Sequence, residues 1–231
     1  MSITENVKRI KEEIAKAALA CGRNPEDILL CAATKMNDSS NVRQAIAAGV
    51  DCCGENRVQE LTLKLGENAY EGAPVHFIGH LQTNKVRQVV GKVDLIQSVD
   101  SLRLLEAIDK EAAKQNLIQD ILLEINVGQE ESKSGFSIEE VPEICEKISN
   151  FPHIRLRGLM AIPPISHFSG ENRKFFQKIC DLAVDITAKK YDNVWVDILS
   201  MGMSDDFADA IACGSTMVRV GTAIFGQRNY G

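Results

Sequence analysis

Apolar positions recur along this chain at two spacings. Ile3, Val7, Ile10, Ile14, Ala17 and Ala18 fall at helical intervals with Lys and Glu between them. This predicts an amphipathic helix that ends near Cys21-Gly22. The next run, Ile28 to Thr34, has no polar alternation and is of strand length, which predicts a strand buried on both faces. Asn37 to Ser40 can cap a helix over 40–48 that stops at Gly49.

The two spacings then keep alternating. A strand is predicted over Val50–Cys53, a helix over 56–66, a strand over Val75–Ile78 and a helix over Asn84–Gly91. Val93–Ile96 reads as the fourth strand, and Ser101 caps a helix carrying Leu102, Leu105, Ile108 and Ala112. Asp120–Val127 is the fifth strand, 138–149 a helix stopped by Pro152, and Arg155–Ala161 the sixth strand. A helix over 171–189, a strand over Val194–Leu199, a helix from Ser204 to Cys213, a strand over Met217–Val220 and a short tail from Thr222 follow.

Strands that alternate with helices imply parallel pairing and right-handed crossovers. Eight such units close best as a single α/β (β/α)8 TIM barrel. The first helix would complete the outer ring, where no helix follows the eighth strand. The alternative is an open doubly wound sheet. No internal boundary, tandem repeat or low-complexity stretch interrupts the pattern, so one domain is expected over residues 1–231.

Composition narrows the class. The chain is 45% hydrophobic and 25% charged, as in soluble globular proteins. A net charge of -6 argues against a general binder of nucleic acid or acidic membrane. No stretch reaches the ~18 apolar residues of a membrane span, and the first residues do not form a signal peptide. Seven cysteines without a C-x-x-C pair argue against a disulfide framework or a zinc ribbon. A reducing, cytoplasmic setting and no metal are expected.

In a barrel, chemistry gathers at the carboxyl ends of the strands. The first strand ends at Lys35, which is either a solvated strand end or a pocket amine. The second ends at Gly54-Glu55-Asn56 and the third at Gly79-His80. Glu131 to Gly135 follow the fifth and Met160-Ala161-Ile162 close the sixth. Ser200 to Ser204 follow the seventh, and Arg219, Gly221 and Thr222 the eighth. Loops after strands seven and eight often hold a phosphate on free N–H groups. Each residue also has an ordinary reading, as a helix cap, a turn glycine, a surface ion pair or a solvated histidine. Taken together, a Lys opposite a phosphate cradle and an Arg suits a cofactor with an aldehyde, a ring nitrogen and a phosphate, which is pyridoxal 5'-phosphate (PLP). An Arg at the ring nitrogen disfavours the pyridinium and weakens the ring as an electron sink.

Several stretches bear on family. They are Gly54-Glu55-Asn56-Arg57-Val58-Gln59-Glu60, His76 to Lys85, Ser132-Lys133-Ser134-Gly135, Leu156 to Pro163, Leu199 to Asp206 and Gly214 to Gly226. With them the chain resembles the pyridoxal phosphate homeostasis family, YggS-like barrels similar to the N-terminal domain of alanine racemase. The resemblance implies that Lys35 forms the Schiff base. It implies that Ser200, Gly221 and Thr222, with Ser204, hold the phosphate and that Arg219 lies beneath the ring. From their place at the end of the second strand, Asn56 and Glu55 either orient polar groups of the ligand or cap the following helix. Around Lys35 the chain departs from the family, with Ala33-Thr34-Lys35-Met36-Asn37-Asp38 in place of Ser-Lys-Thr-Lys-Pro. The second Lys is absent.

Two classes of function compete. A racemase-like enzyme needs a second acid/base, which alanine racemases take from a Tyr on a further domain. The chain is expected to lack that domain, and none of Tyr70, Tyr191 and Tyr230 falls at a predicted strand end. A carrier needs only reversible attachment and a phosphate grip. The expectation is therefore a vitamin B6 carrier or regulator with no catalytic residue, affecting amino- and keto-acid balance. It would be a monomer whose partners are PLP and, transiently, PLP-dependent apo-enzymes. An aldolase that uses Lys35 without a cofactor is a third reading.

Overall fold

In a computed structural model of the chain, which describes residues 1–130, 133–165, 168 and 170–226, eight parallel strands close into a barrel in sequence order. They are β1 (Leu29–Ala33), β2 (Cys52–Glu55), β3 (Val75–Phe77), β4 (Leu95–Val99), β5 (Gln119–Ile125), β6 (Ile154–Ala161), β7 (Val194–Ser200) and β8 (Met217–Val220). The helices are α1 (Ile3–Ala20), α2 (Ser39–Ala47), α3 (Val58–Gly66), α4 (Leu102–Lys114), α5 (Val141–Ile148), α6 (Arg173–Lys189), α7 (Phe207–Ala212) and α8 (Thr222–Phe225). This is the (β/α)8 barrel that the alternation predicts, and the open sheet is ruled out by the β1–β8 pairing. Among the described residues, no helix is long and apolar enough to cross a membrane.

The first helix takes the expected place in the outer ring. Ser2 and Glu5 form a reciprocal capping box, which satisfies two N–H groups that no helical turn can reach. Val7, Ile10, Ile14 and Ala18 form its buried stripe, packed on α2, α7 and α8. Asn6 adds a hydrogen bond from Nδ2 to the carbonyl of Ile224 at 2.8 Å, which ties α1 to the last helix.

Two layers of core follow from the strand pleat. On β1 and β8, Ala32, Val218 and Val220 belong to the large cluster between barrel and helices. Their neighbours Cys31 and Met217 pack inside the barrel with Cys52. Leu95, Leu122 and Met160 fill another interior patch. Side chains that alternate inward from neighbouring strands fill a barrel rather than leave a pore.

Several predicted elements shift, and the expected tail after the eighth strand opens with the short helix α8. The expected helix over 84–91 is a 3-10 turn over Thr83–Gln88. It has no side-chain cap, and Val86, Val89 and Val90 are poor helix formers beside Gly91 at φ 70°. The fourth strand runs to Val99 rather than to Ile96. Gln97 and Ser98 look like strand breakers in the sequence, yet both are buried because each finds a partner there. Ser98 Oγ donates to the Gly79 carbonyl at 2.6 Å.

Candidate functional site

Lys35 stands two residues past the end of β1 and is half-buried. Its backbone is held on both sides by residues of α3 and β2. Lys64 Nζ donates to the carbonyl of Thr34 at 2.8 Å and to Glu55 Oε1 at 2.5 Å. Thr34 Oγ1 donates to the same Glu55 oxygen at 2.5 Å. Beyond Lys35 the chain reverses through Met36, whose φ is 61°, and the Met36 N–H donates to Glu60 Oε2 at 2.7 Å. Lys64 and Glu55 are both buried, so each charge depends on the other. Glu55 thus turns away from the mouth and acts on the strand end.

The neighbouring strand supplies Arg219, the register partner of Cys31. Its guanidinium is buried and makes three hydrogen bonds. Nη1 donates to the carbonyl and to Oγ of Ser200, each at 2.6 Å, and Nη2 donates to the Ala161 carbonyl at 2.9 Å. Among the described residues it makes no ion pair. Burial holds its pKa below the ordinary value, and the charges of Cys31, Glu124 and Asp206 oppose that. A planar cation fixed in this way has donors to spare for a ligand and, among the described residues, no carboxylate in ion-pair contact.

Ser200, expected at the phosphate, has a fully buried side chain that accepts from Arg219 and donates from Oγ to Gln97 Oε1 at 2.6 Å. Gln97 continues inward, with Nε2 2.9 Å from His76 Nδ1 and 3.2 Å from Met217 Sδ.

Ser204, Gly221 and Thr222 do come together. Ser204 is half-buried, and its Oγ accepts from the Ala223 N–H at 3.4 Å, inside the first turn of α8. Gly221 is the residue before that helix, and Thr222 is exposed at its start. The first N–H groups of a helix have no partner within it. A Cβ at Gly221 would lie 3.4 Å from Ala33, so this glycine sits in van der Waals reach of the first strand. The loop before Ser204 turns through Gly202 at φ 95°, whose carbonyl accepts the Arg219 N–H at 2.9 Å. The expected helix beginning at Ser204 starts later, at Phe207 after Asp206, so the helix opening beside Ser204 is α8.

Asn56, at the end of β2, has a buried Oδ1 with no hydrogen-bond partner. An orphaned buried acceptor at a barrel mouth is free for a ligand. Its backbone is pressed by β3, since a Cβ at Gly79 would come within 2.2 Å of the Asn56 carbonyl oxygen. His80 is exposed at the rim with Nδ1 3.1 Å from Asp100 Oδ2, which suits a solvated ion pair. Lys133 Nζ donates to Glu130 Oε1 at 2.8 Å and to the Pro163 carbonyl at 3.3 Å, so it is anchored within its loop. Met160 lies in the barrel interior, whereas Met201 packs in the outer core. Glu131, Ser132 and Tyr230 lie outside the described residues.

Sequence reasoning missed four residues. Gln97 lay beyond the predicted end of the fourth strand. His76 and Glu124 sit within strands, where an isolated polar residue gives no signal of facing inward. Lys64 looks like one more surface cation of an amphipathic helix. Glu124 is half-buried, and burial, then the charge of Asp100, raises its carboxyl pKa, against the pull of Arg219 and His80.

Comparison with known proteins bears on this arrangement. The alanine racemase N-terminal domain family matches residues 2–229. A pyridoxal phosphate homeostasis protein of Aquifex aeolicus is 41% identical over 230 residues, covering all of both chains. The chain belongs to the pyridoxal phosphate homeostasis protein family. A second family member, from Escherichia coli K12, is 40% identical over 99% of this chain and 97% of its own. Among solved structures of the family, PipY of Synechococcus elongatus with PLP bound is 32% identical, with a TM-score of 0.80 over 92% of this chain and all of that one.

Proposed function

We propose that this protein binds PLP at the mouth of its barrel and buffers or delivers it, with Lys35 as the attachment amine. The observation that carries this reading is Arg219. A buried guanidinium with no carboxylate in ion-pair contact among the described residues, fixed by Ser200 and Ala161 on the strand next to Lys35, suits a neutral ring nitrogen. The orphaned Asn56 oxygen and the opening of α8 fit the remaining polar groups of that cofactor. Family members named for PLP homeostasis, at about 40% identity over their full length, support the same reading.

The roles divide by position. Lys64, Glu55 and Glu60 hold the backbone around Lys35, so its amine starts from a fixed root. Ser204, Gly221 and Thr222 hold the phosphate through hydroxyl and N–H donors at the start of α8. Arg219 donates toward the ring nitrogen, and Ser200 and Gln97 hold Arg219. When bound, PLP supplies an aldehyde for an amine and a ring that can withdraw electrons. A fixed positive charge at the ring nitrogen keeps that nitrogen unprotonated and limits the withdrawal.

This division favours carriage over turnover. Among the described residues, neither Tyr70, between α3 and β3, nor Tyr191, before β7, stands at a strand's carboxyl end, where a second acid/base would act. The proposal includes residues 1–231 acting as one domain, a monomer in the cytoplasm, and transient contact with PLP-dependent apo-enzymes as recipients.

The test is a titration of the purified chain with PLP, followed by transfer to an apo-enzyme. About one equivalent should bind, with visible absorbance unlike that of free PLP. Racemase and transaminase turnover should stay at the level of free PLP. Turnover well above that level, lost in Lys35→Ala, would overturn the carrier reading.

A further inference from the structure

Below Arg219, three soft donor groups converge inside the barrel. Cys31 on β1 and Cys52 on β2 are register partners on neighbouring parallel strands and pack in the same interior cluster. His76 lies on β3, the next strand along. The two sulfurs and a ring nitrogen of His76 all lie within 4.8 Å of one another, and all three residues are buried. Met217 packs against the two cysteines in the same layer.

Ordinary core packing explains this group poorly. A buried imidazole needs a partner for each nitrogen, and Gln97 provides one, at Nδ1. Two sulfurs lie within 4.8 Å of a ring nitrogen, and sulfur is a weak hydrogen-bond partner.

We propose that Cys31, Cys52 and His76 form a closed internal site for one thiophilic d10 cation, Zn2+ or Cu+. Thiolate and imidazole ligands select these ions over hard cations. Two sulfurs on a common zinc stand ~3.8 Å apart, within the measured spread. Two thiolates cancel the charge of Zn2+. With Cu+ they leave one negative charge, which faces Arg219, the register partner of Cys31. Because the site is closed, the ion enters as the chain folds, as it does at structural metal sites.

Gln97 is the outer support of this site. A ligating histidine donates its other N–H to an oxygen. On loading, His76 carries its proton at Nδ1 and Gln97 turns its amide oxygen to it. The Gln97 nitrogen then faces Ser200, so the state of the metal site reaches the residue that holds Arg219.

The test uses the full chain, produced with zinc in the medium in one arm and refolded anaerobically in bicinchoninate-buffered Cu+ in the other. Metal per chain is read by mass spectrometry. In at least one arm, about one ion per chain should survive dialysis. Retention should fall by at least roughly tenfold in C31A and C52A, and stay unchanged in C21S, C180S and C213S. The wild-type chain refolded with Co2+ should show sulfur-to-cobalt charge-transfer absorbance, a readout that stands even if the alanine variants fail to fold. A wild-type chain without metal in both arms, metal that follows Cys21, Cys180 or Cys213, or cobalt-loaded protein without the sulfur band would each overturn the proposal. None of these outcomes depends on PLP binding.

Discussion

Ser200 Oγ lies 2.6 Å from Arg219 Nη1 and 2.6 Å from Gln97 Oε1, so the hydroxyl is committed on both sides. Arg219 can only donate, which makes Ser200 the donor to Gln97 and fixes the direction of the chain. We read a serine used in this way as orienting a cation, with the phosphate left to others.

That separation is measurable with two ligands. Ser200→Ala should weaken PLP and pyridoxal, which lacks the phosphate, by a similar factor of roughly 10, the cost of one hydrogen bond to a charged group. Ser204→Ala should weaken PLP and leave pyridoxal nearly unchanged. Equilibrium dialysis of both ligands checks the pattern. The opposite assignment would place the phosphate on Ser200.

Lys64 shows how a residue remote from the ligand can set the site. Lys64→Met leaves Glu55 buried without its cation, which should cost about 3–5 kcal/mol and lower Tm by roughly 10 °C. PLP affinity should fall as well, because the Thr34 carbonyl loses its anchor beside Lys35. The double variant Glu55→Gln/Lys64→Met should recover much of the stability, as the orphaned charge is gone. Thermal unfolding of the three variants, with and without PLP, separates the two effects.

Much of the fold was legible because the barrel writes a simple pattern. Buried strands such as Leu30 to Ala32 read as apolar runs, and helices such as α1 read by their stripes. The positions of Lys35, Gly221 and Thr222 at strand ends were legible, and the structure has them after β1 and β8. The site was obscure where polar groups work inside the barrel. Gln97, His76 and Ser200 satisfy one another across three strands far apart in sequence, and pairing of that kind leaves no local periodicity. The inward metal ligands were hidden for the same reason, since their spacing follows barrel register and no short motif.

Glu124 should make stability fall as pH rises. Burial and Asp100 raise its folded-state pKa above the unfolded carboxylate value of ~4.3. Between those two values the folded chain keeps a proton that the unfolded chain has lost, so stability declines with pH there and stays lower above. Glu124→Gln should therefore have a higher Tm than wild type at pH 7. The difference should shrink as pH falls toward the unfolded value. Thermal scans across that range check the sign.

Gly79 allows the β2 and β3 ends to touch. A methyl group would sit 2.2 Å from the Asn56 carbonyl oxygen, so Gly79→Ala must move one strand end. The expected cost is about 1–3 kcal/mol for forced overpacking, with weaker PLP binding through the displaced Asn56. Denaturant unfolding together with PLP titration would detect both.

The central claim is that Lys35 carries the cofactor. The most direct measurement is borohydride reduction of the PLP-loaded chain, followed by peptide mass spectrometry. The cofactor mass should appear on the peptide containing Lys35 and be lost in Lys35→Ala. Label on Lys64 or Lys133 with Lys35 unmodified, or equal labelling of the Lys35→Ala chain, would contradict the account.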